Sequence, residues 1–142
     1  KYLFASNAVG INEPPLFEYG EHGKPAIVGH PDIHFNMSHC REAAVCVLAD
    51  SPVGVDVESI RSYKEPLARY TMNDAELRRI QSAASPAEEF TRLWTMKEAV
   101  LKLSGEGIRT DMKQVLNGSE SLQTTVNTAL GIVCTVAFST KK

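Results

Sequence analysis

Three carboxylates and a lysine have the types and the spacing to do chemistry in this sequence. Asp56 and Glu58 stand two residues apart in Val53-Gly-Val-Asp-Val-Glu58, whose apolar–polar alternation predicts a strand. Alternate residues of a strand share a face. Gly54, Asp56 and Glu58 therefore look one way and Val53, Val55 and Val57 the other, with the two acidic Cα atoms about 6.5 Å apart. Side chains at that spacing can converge on one hard cation, and without a cation their charges repel. Asp and Glu are poor strand formers, so a polar face spent on two of them suggests a site. A solvated strand face is the plain alternative.

The third carboxylate, Glu98, falls in a segment over residues 90–107 that reads as a helix. Phe90, Leu93, Trp94, Val100, Leu101 and Leu103 recur with helical spacing. Ser85 is the expected N-cap, with Pro86 at the first helical position and Glu88 closing a capping box. Gly105 is the expected stop. Trp94, Glu98 and Lys102 form an i, i+4, i+8 ladder on the border between core and solvent, while Lys97 lies inside the apolar arc, an odd place for an ammonium. Taken alone, Glu98 and Lys102 also describe a surface pair worth about 0.2–0.5 kcal/mol.

Other elements must hold these groups. Residues 12–31 read as an extended, mostly irregular arm punctuated by Gly and Pro, with Lys24 between Gly23 and Pro25. Residues 33–39 alternate, placing His34, Asn36 and Ser38 on one face, and His39 follows Ser38 at the strand end. Residues 43–49 form a continuous apolar run, expected as a central strand, and Asp50-Ser51-Pro52 predicts a hairpin from it into the Asp56/Glu58 strand. Asn73 is a good N-cap for a helix over 73–83, with Glu76 at N3. Residues 112–116, 122–127 and 131–138 follow. Asn117-Gly118 marks a turn between the first two, and the last reads as a buried strand. Residues 1–8 read as the end of a helix or strand. The chain divides into a lead-in arm, 1–32, and one α+β domain, 33–142, with an antiparallel sheet packed on the long helix.

The totals exclude little. A chain of 142 residues fits one domain with its own core. The net charge of −2 gives no basic footprint for nucleic acid. The sequence offers no long apolar span for a membrane. Three cysteines without framework spacing fit a reducing cytoplasm, and Cys46 and Cys134, in apolar runs, read as core residues.

Four blocks then stand in order: Gly23-Lys24-Pro25, Phe35-Asn-Met-Ser-His39, Gly54-Val-Asp-Val-Glu58 and Trp94-Thr-Met-Lys-Glu-Ala-Val-Leu-Lys102. Together they resemble the 4′-phosphopantetheinyl transferases of the larger, surfactin-synthetase-activating type, over residues 14–107. The resemblance implies transfer of phosphopantetheine from coenzyme A to a serine of an acyl or peptidyl carrier protein, releasing 3′,5′-ADP. It implies Asp56, Glu58 and Glu98 as Mg²⁺ ligands, with Mn²⁺ as a substitute, and Lys102 on the pyrophosphate. Lys24, Ser38 and His39 would contact coenzyme A phosphates, and Lys97 shares the binding motif. Glu76 is the nearest match to a glutamate given a part in activating the serine, and it is also a natural capping residue.

Members of this type carry two similar halves. This chain matches the second half with a short lead-in, so a partner half is expected from the same protein or from another subunit. The rival readings are a non-catalytic coenzyme A or carrier-binding module and a metal-dependent phosphohydrolase. The basic segment 61–79, with Arg61, Lys64, Arg69, Arg78 and Arg79 around Tyr70, Met72 and Leu77, is the expected carrier-docking surface; a solvated charged face is its alternative.

Overall fold

The computed structural model describes residues 14–21, 23–105 and 111–139. Residues 1–8 lie outside them. The described chain runs β1 (Phe17–Tyr19), β2 (Pro25–Ile27), β3 (His34–His39), β4 (Ala44–Ala49) and β5 (Val53–Ser59). It continues through α1 (Glu65–Thr71), α2 (Asp74–Ser82), α3 (Pro86–Ser104), a 3-10 helix (Met112–Asn117), β6 (Ser121–Asn127) and β7 (Ile132–Phe138). The strands form three small antiparallel sheets, β1-β2, β3-β4 and β5-β7-β6.

The helix ends follow their sequence signals, except that only the Ser85 half of its expected capping box is made. Ser85 accepts from the Glu88 amide with Pro86 in the first turn, and Gly105 closes α3 in the left-handed conformation at φ 72°. Asn73 and Glu76 form a full capping box on α2. Gly54 brings the backbones of β5 and α3 together: a Cβ there would collide with the Ala99 carbonyl and lie 2.5 Å from the Leu103 amide nitrogen. Farther along, the hydroxyls of Thr95 and Thr135 meet at 3.0 Å in the interior.

Several expectations change. β4 pairs with β3 and not with β5, so no hairpin joins β4 to the acidic strand. β4 is an edge strand whose residues alternate between exposed and half-buried; its continuous apolar run comes from small and branched residues on both faces, not from double-sided burial. Cys46 is accordingly exposed and Cys134 partly buried. The segment 112–116 is a 3-10 helix, started by Asp111 accepting from the Lys113 amide. The arm is ordered into a hairpin, with Tyr19 opposite Pro25.

The edge of β5 left free by β7 is met by side chains. Asn36 Oδ1 accepts from the Val55 amide at 2.9 Å, and Ser38 Oγ accepts from the Val57 amide at 3.1 Å. Two polar side chains of β3 thus replace two rungs of a ladder and satisfy otherwise unpaired donors. They also fix Ser38 beside Asp56.

Candidate active site

β5 contributes Asp56 and Glu58, and α3 contributes Glu98 and Lys102. Asp56 is 4% exposed. Its Oδ1 accepts from Ser38 Oγ at 3.1 Å and faces Lys102 Nζ at 3.5 Å. Its Oδ2 is buried with no hydrogen-bond partner. Lys102 also donates to the Val55 carbonyl at 3.0 Å and, at the limit of hydrogen bonding, to the Met37 carbonyl at 3.4 Å. One ammonium therefore ties α3 to both β5 and β3.

All three acids are raised, each by burial first, and the Asp56 charge raises the other two. Burial pushes Asp56 up, against the Lys102 charge and the Ser38 hydrogen bond. Glu58 is pushed up to about 7, by burial first and then by the Asp56 charge, with Glu98 adding to it and the Trp94 indole opposing. Burial and then Asp56 raise Glu98, while Lys102 lowers it. Each therefore sits within electrostatic reach of another, in surroundings that penalise uncompensated negative charge.

That donor set fits a hard divalent cation, which takes carboxylate oxygens, and the orphaned Oδ2 of Asp56 is an oxygen such an ion would satisfy. Among the described residues, no three His, Cys, Asp or Glu side chains are gathered closely enough to make a cage. The fit is one of chemistry: these carboxylates would hold such an ion, which would neutralise charge on phosphate oxygens.

The remaining candidates lie apart from this cluster or are otherwise engaged. Lys24, expected at a phosphate, gives its ammonium to three backbone carbonyls. Lys97 is wholly buried and donates to Glu76 Oε1 at 2.8 Å and to the Met112 carbonyl. Glu76 Oε1 also accepts from the Asn73 amide at 2.9 Å. This pair joins α2, α3 and the 3-10 helix, with Lys97 on Glu76 Oε1, while Glu76 Oε2 is buried without a hydrogen-bond partner among the described residues. His39 is exposed at the end of β3.

A cleft of about 410 Å³ opens from Glu58, floored by Phe90, Thr91 and Trp94 and rimmed by Arg61, Tyr63, Lys64 and Leu67. Tyr63 stacks on Phe90 with ring centroids 4.6 Å apart, and Phe90 stacks toward Trp94 at 6.1 Å. Tyr63 lies 27 positions before Phe90, and no periodicity announces their contact. Asn36 was the legible one of the missed residues, since it shares the face of Ser38.

An acidic strand face, an acidic helix border and a bridging lysine are the parts that phosphoryl-group transfer needs. The chain belongs to the 4′-phosphopantetheinyl transferase superfamily, whose family model matches residues 52–137. It is similar to the 4′-phosphopantetheinyl transferase gsp of Aneurinibacillus migulanus, 39% identical over 99 residues, which cover 68% of this chain and 41% of that protein. Psf-1 of Bacillus pumilus is 37% identical over 98 residues, covering 68% and 42%. Sfp of Bacillus subtilis (strain 168) is 31% identical over 94 residues, covering 65% and 42%. The chain spans about two fifths of the length of these relatives. No helix among the described residues is long and apolar enough to cross a membrane.

Proposed function

We propose that this protein transfers the 4′-phosphopantetheine arm of coenzyme A to a serine of an acyl or peptidyl carrier protein in the cytoplasm. The observation that carries the reading is Asp56 facing Lys102 at 3.5 Å between β5 and α3, with Glu58 and Glu98 near enough to feel the Asp56 charge, in a member of this superfamily.

Asp56, Glu58 and Glu98 would hold Mg²⁺, or Mn²⁺ in its place. When bound, the ion neutralises charge on the pyrophosphate oxygens. Lys102 adds a compact positive charge on the same side, and Ser38 holds the Asp56 carboxylate in place. Exposed His39, on the strand that carries Ser38, would meet a phosphate of coenzyme A. The aromatic cleft beginning at Glu58 has the size and apolar floor to take the pantetheine chain. In the reaction, the serine oxygen forms a bond to the phosphorus bearing pantetheine. The bond from that phosphorus to the bridging oxygen breaks, and 3′,5′-ADP leaves with the electron pair. The serine proton passes to a carboxylate. Glu98, which feels the charges of Asp56 and Lys102, is better suited than Glu76, which is buried in its pair with Lys97. The carrier docks on the basic segment beside the cleft, where Tyr70 is 77% exposed; Met72, fully buried, supports this surface from beneath.

The span of the relatives favours a second half-domain, in the same protein or in another subunit, that completes the coenzyme A site. The test is release of 3′,5′-ADP from coenzyme A, with Mg²⁺, in the presence and absence of apo-carrier. Release only with apo-carrier supports transfer. Release without it points to a phosphohydrolase, and binding without release to a non-catalytic module.

A further inference from the structure

Lys24 stands just before β2, where the β1-β2 turn closes opposite Gly20, yet its ammonium reaches across the domain. Nζ donates to the carbonyls of Lys102 at 3.0 Å, Val53 at 3.1 Å and Leu103 at 3.3 Å. An ammonium has three donors, and here all three are spent on backbone oxygens. Two of those oxygens belong to the last turn of α3, whose carbonyls have no partner within the helix and carry the negative end of its dipole. The third opens β5.

These contacts flank the Gly54 crossing, where β5 and α3 touch backbone to backbone. From that crossing Asp56 lies two residues along β5, and Glu98 and Lys102 lie on the last turns of α3. Lys102 is held twice: its carbonyl by Lys24 and its Nζ by the Val55 carbonyl and Asp56. The turn that aims Lys24 is itself fixed. The Gly20 amide donates to the Lys24 carbonyl at 2.9 Å and the Gly23 amide to the Gly20 carbonyl at 2.9 Å. Gly23 takes φ 79°, a conformation suited to glycine. Burial lowers the Lys24 pKa, the expected cost of an ammonium held against neutral carbonyls rather than an anion.

We propose that Lys24 is a positioning residue: a clamp from the arm that sets α3 against β5 and so fixes Glu98 and Lys102 over Asp56 and Glu58. The clamp deepens the transferase reading and rests on it for its kinetic consequence, but its structural consequence stands alone. A phosphate ligand and a clamp differ in what they change. Loss of a ligand weakens nucleotide binding. Loss of a clamp leaves nucleotide binding intact and misplaces the groups that act on the pyrophosphate in the transition state.

The test compares Lys24→Met, which keeps the stem and drops the charge, with Lys24→Arg, which keeps the charge. Three quantities are read: amide exchange, calorimetric Kd for 3′,5′-ADP, and kcat with KM for coenzyme A at a temperature where both variants are folded. Lys24→Met should speed exchange of the Gly105, Val55 and Val57 amides about tenfold over those of β6, lower kcat about tenfold, and leave KM and Kd within about twofold; Lys24→Arg should recover much of kcat. Weakened 3′,5′-ADP binding with unchanged exchange would make Lys24 a phosphate ligand and overturn the clamp. Faster exchange with unchanged kcat would leave it a structural strut and overturn its positioning role. If Lys24→Met does not fold, Lys24→Gln, which retains two donors, is read against the same outcomes. An inactive native protein removes the transferase reading, while the exchange measurement still decides whether the clamp exists.

Discussion

Lys97 donates to Glu76 Oε1 across 2.8 Å, with Lys97 wholly buried and Glu76 nearly so. The pair stands where α2, α3 and the 3-10 helix meet. Removing one partner of a buried ion pair strands the other charge, at a cost of about 3–5 kcal/mol. Lys97→Met should therefore lower the urea-derived stability by about that amount, and Lys97→Met/Glu76→Leu by less than the sum of the two single changes. If Lys97→Met costs under about 1 kcal/mol, the pair is not a structural tie. Glu76→Gln separates the remaining question: loss of turnover at unchanged stability would restore Glu76 as the base.

The β5–α3 crossing admits no side chain at position 54. Gly54→Ala should force the Ala99 carbonyl and the Leu103 amide away, destabilising the protein by about 3 kcal/mol or more, the upper range for overpacking. Thermal unfolding measures it. A change below about 1 kcal/mol would mean that the two elements are not in backbone contact.

The acidic cluster predicts a pH dependence for the metal-free protein. Glu58 has a folded pKa of about 7 against an ordinary 4.5. Because the folded value is raised, the protonated form favours folding. That contribution is present below about pH 4.5 and is lost as pH rises through about 7. Urea midpoints of native protein and Glu58→Gln, compared between pH 5 and 8 without metal, should diverge, with the variant relatively more stable at pH 8. Saturating Mg²⁺ should remove most of the native protein's deficit. Parallel pH profiles for the two proteins would show that Glu58 bears no such strain.

Carrier docking predicts a salt-sensitive KM. Arg69 and Arg78 sit on α1 and α2, and Arg69 pairs with exposed Glu65, a contact worth little in water. Arg69→Glu/Arg78→Glu should raise KM for the carrier severalfold and flatten its dependence on salt, leaving KM for coenzyme A unchanged. If both KM values move together, the carrier docks elsewhere.

The local rules were legible where a residue answers to its near neighbours. The capping box of Asn73 and Glu76, the Ser85 start, the Gly105 stop and the two-faced alternation of β5 all follow from spacing within a few residues. Pairing between distant strands was not legible. The hairpin signal Asp50-Ser51-Pro52 suggested that β4 joins β5, but β7, more than seventy residues on, takes that edge of β5, and Asn36 and Ser38 take the other. The same limit governs the site. Asp56 and Glu58 share a face by alternation, and Glu98 and Lys102 share one by helical spacing. That Lys24 would leave the arm to cap α3 depends on a contact 78 residues away in sequence. The oddity of Lys97 inside an apolar arc was visible; its partner Glu76 was not visible as such, because capping already accounted for that residue.

The central claim is that Asp56, Glu58 and Glu98 share one divalent ion beside Lys102. Mn²⁺ binding followed by electron paramagnetic resonance tests it most directly, in the native protein, Asp56→Asn and Glu98→Gln, with folding checked by circular dichroism. The account predicts one Mn²⁺ per chain, competed by Mg²⁺, and affinity at least tenfold weaker in each variant, a loss of about 1.4 kcal/mol or more. Folded variants that bind Mn²⁺ as tightly as the native protein would contradict it.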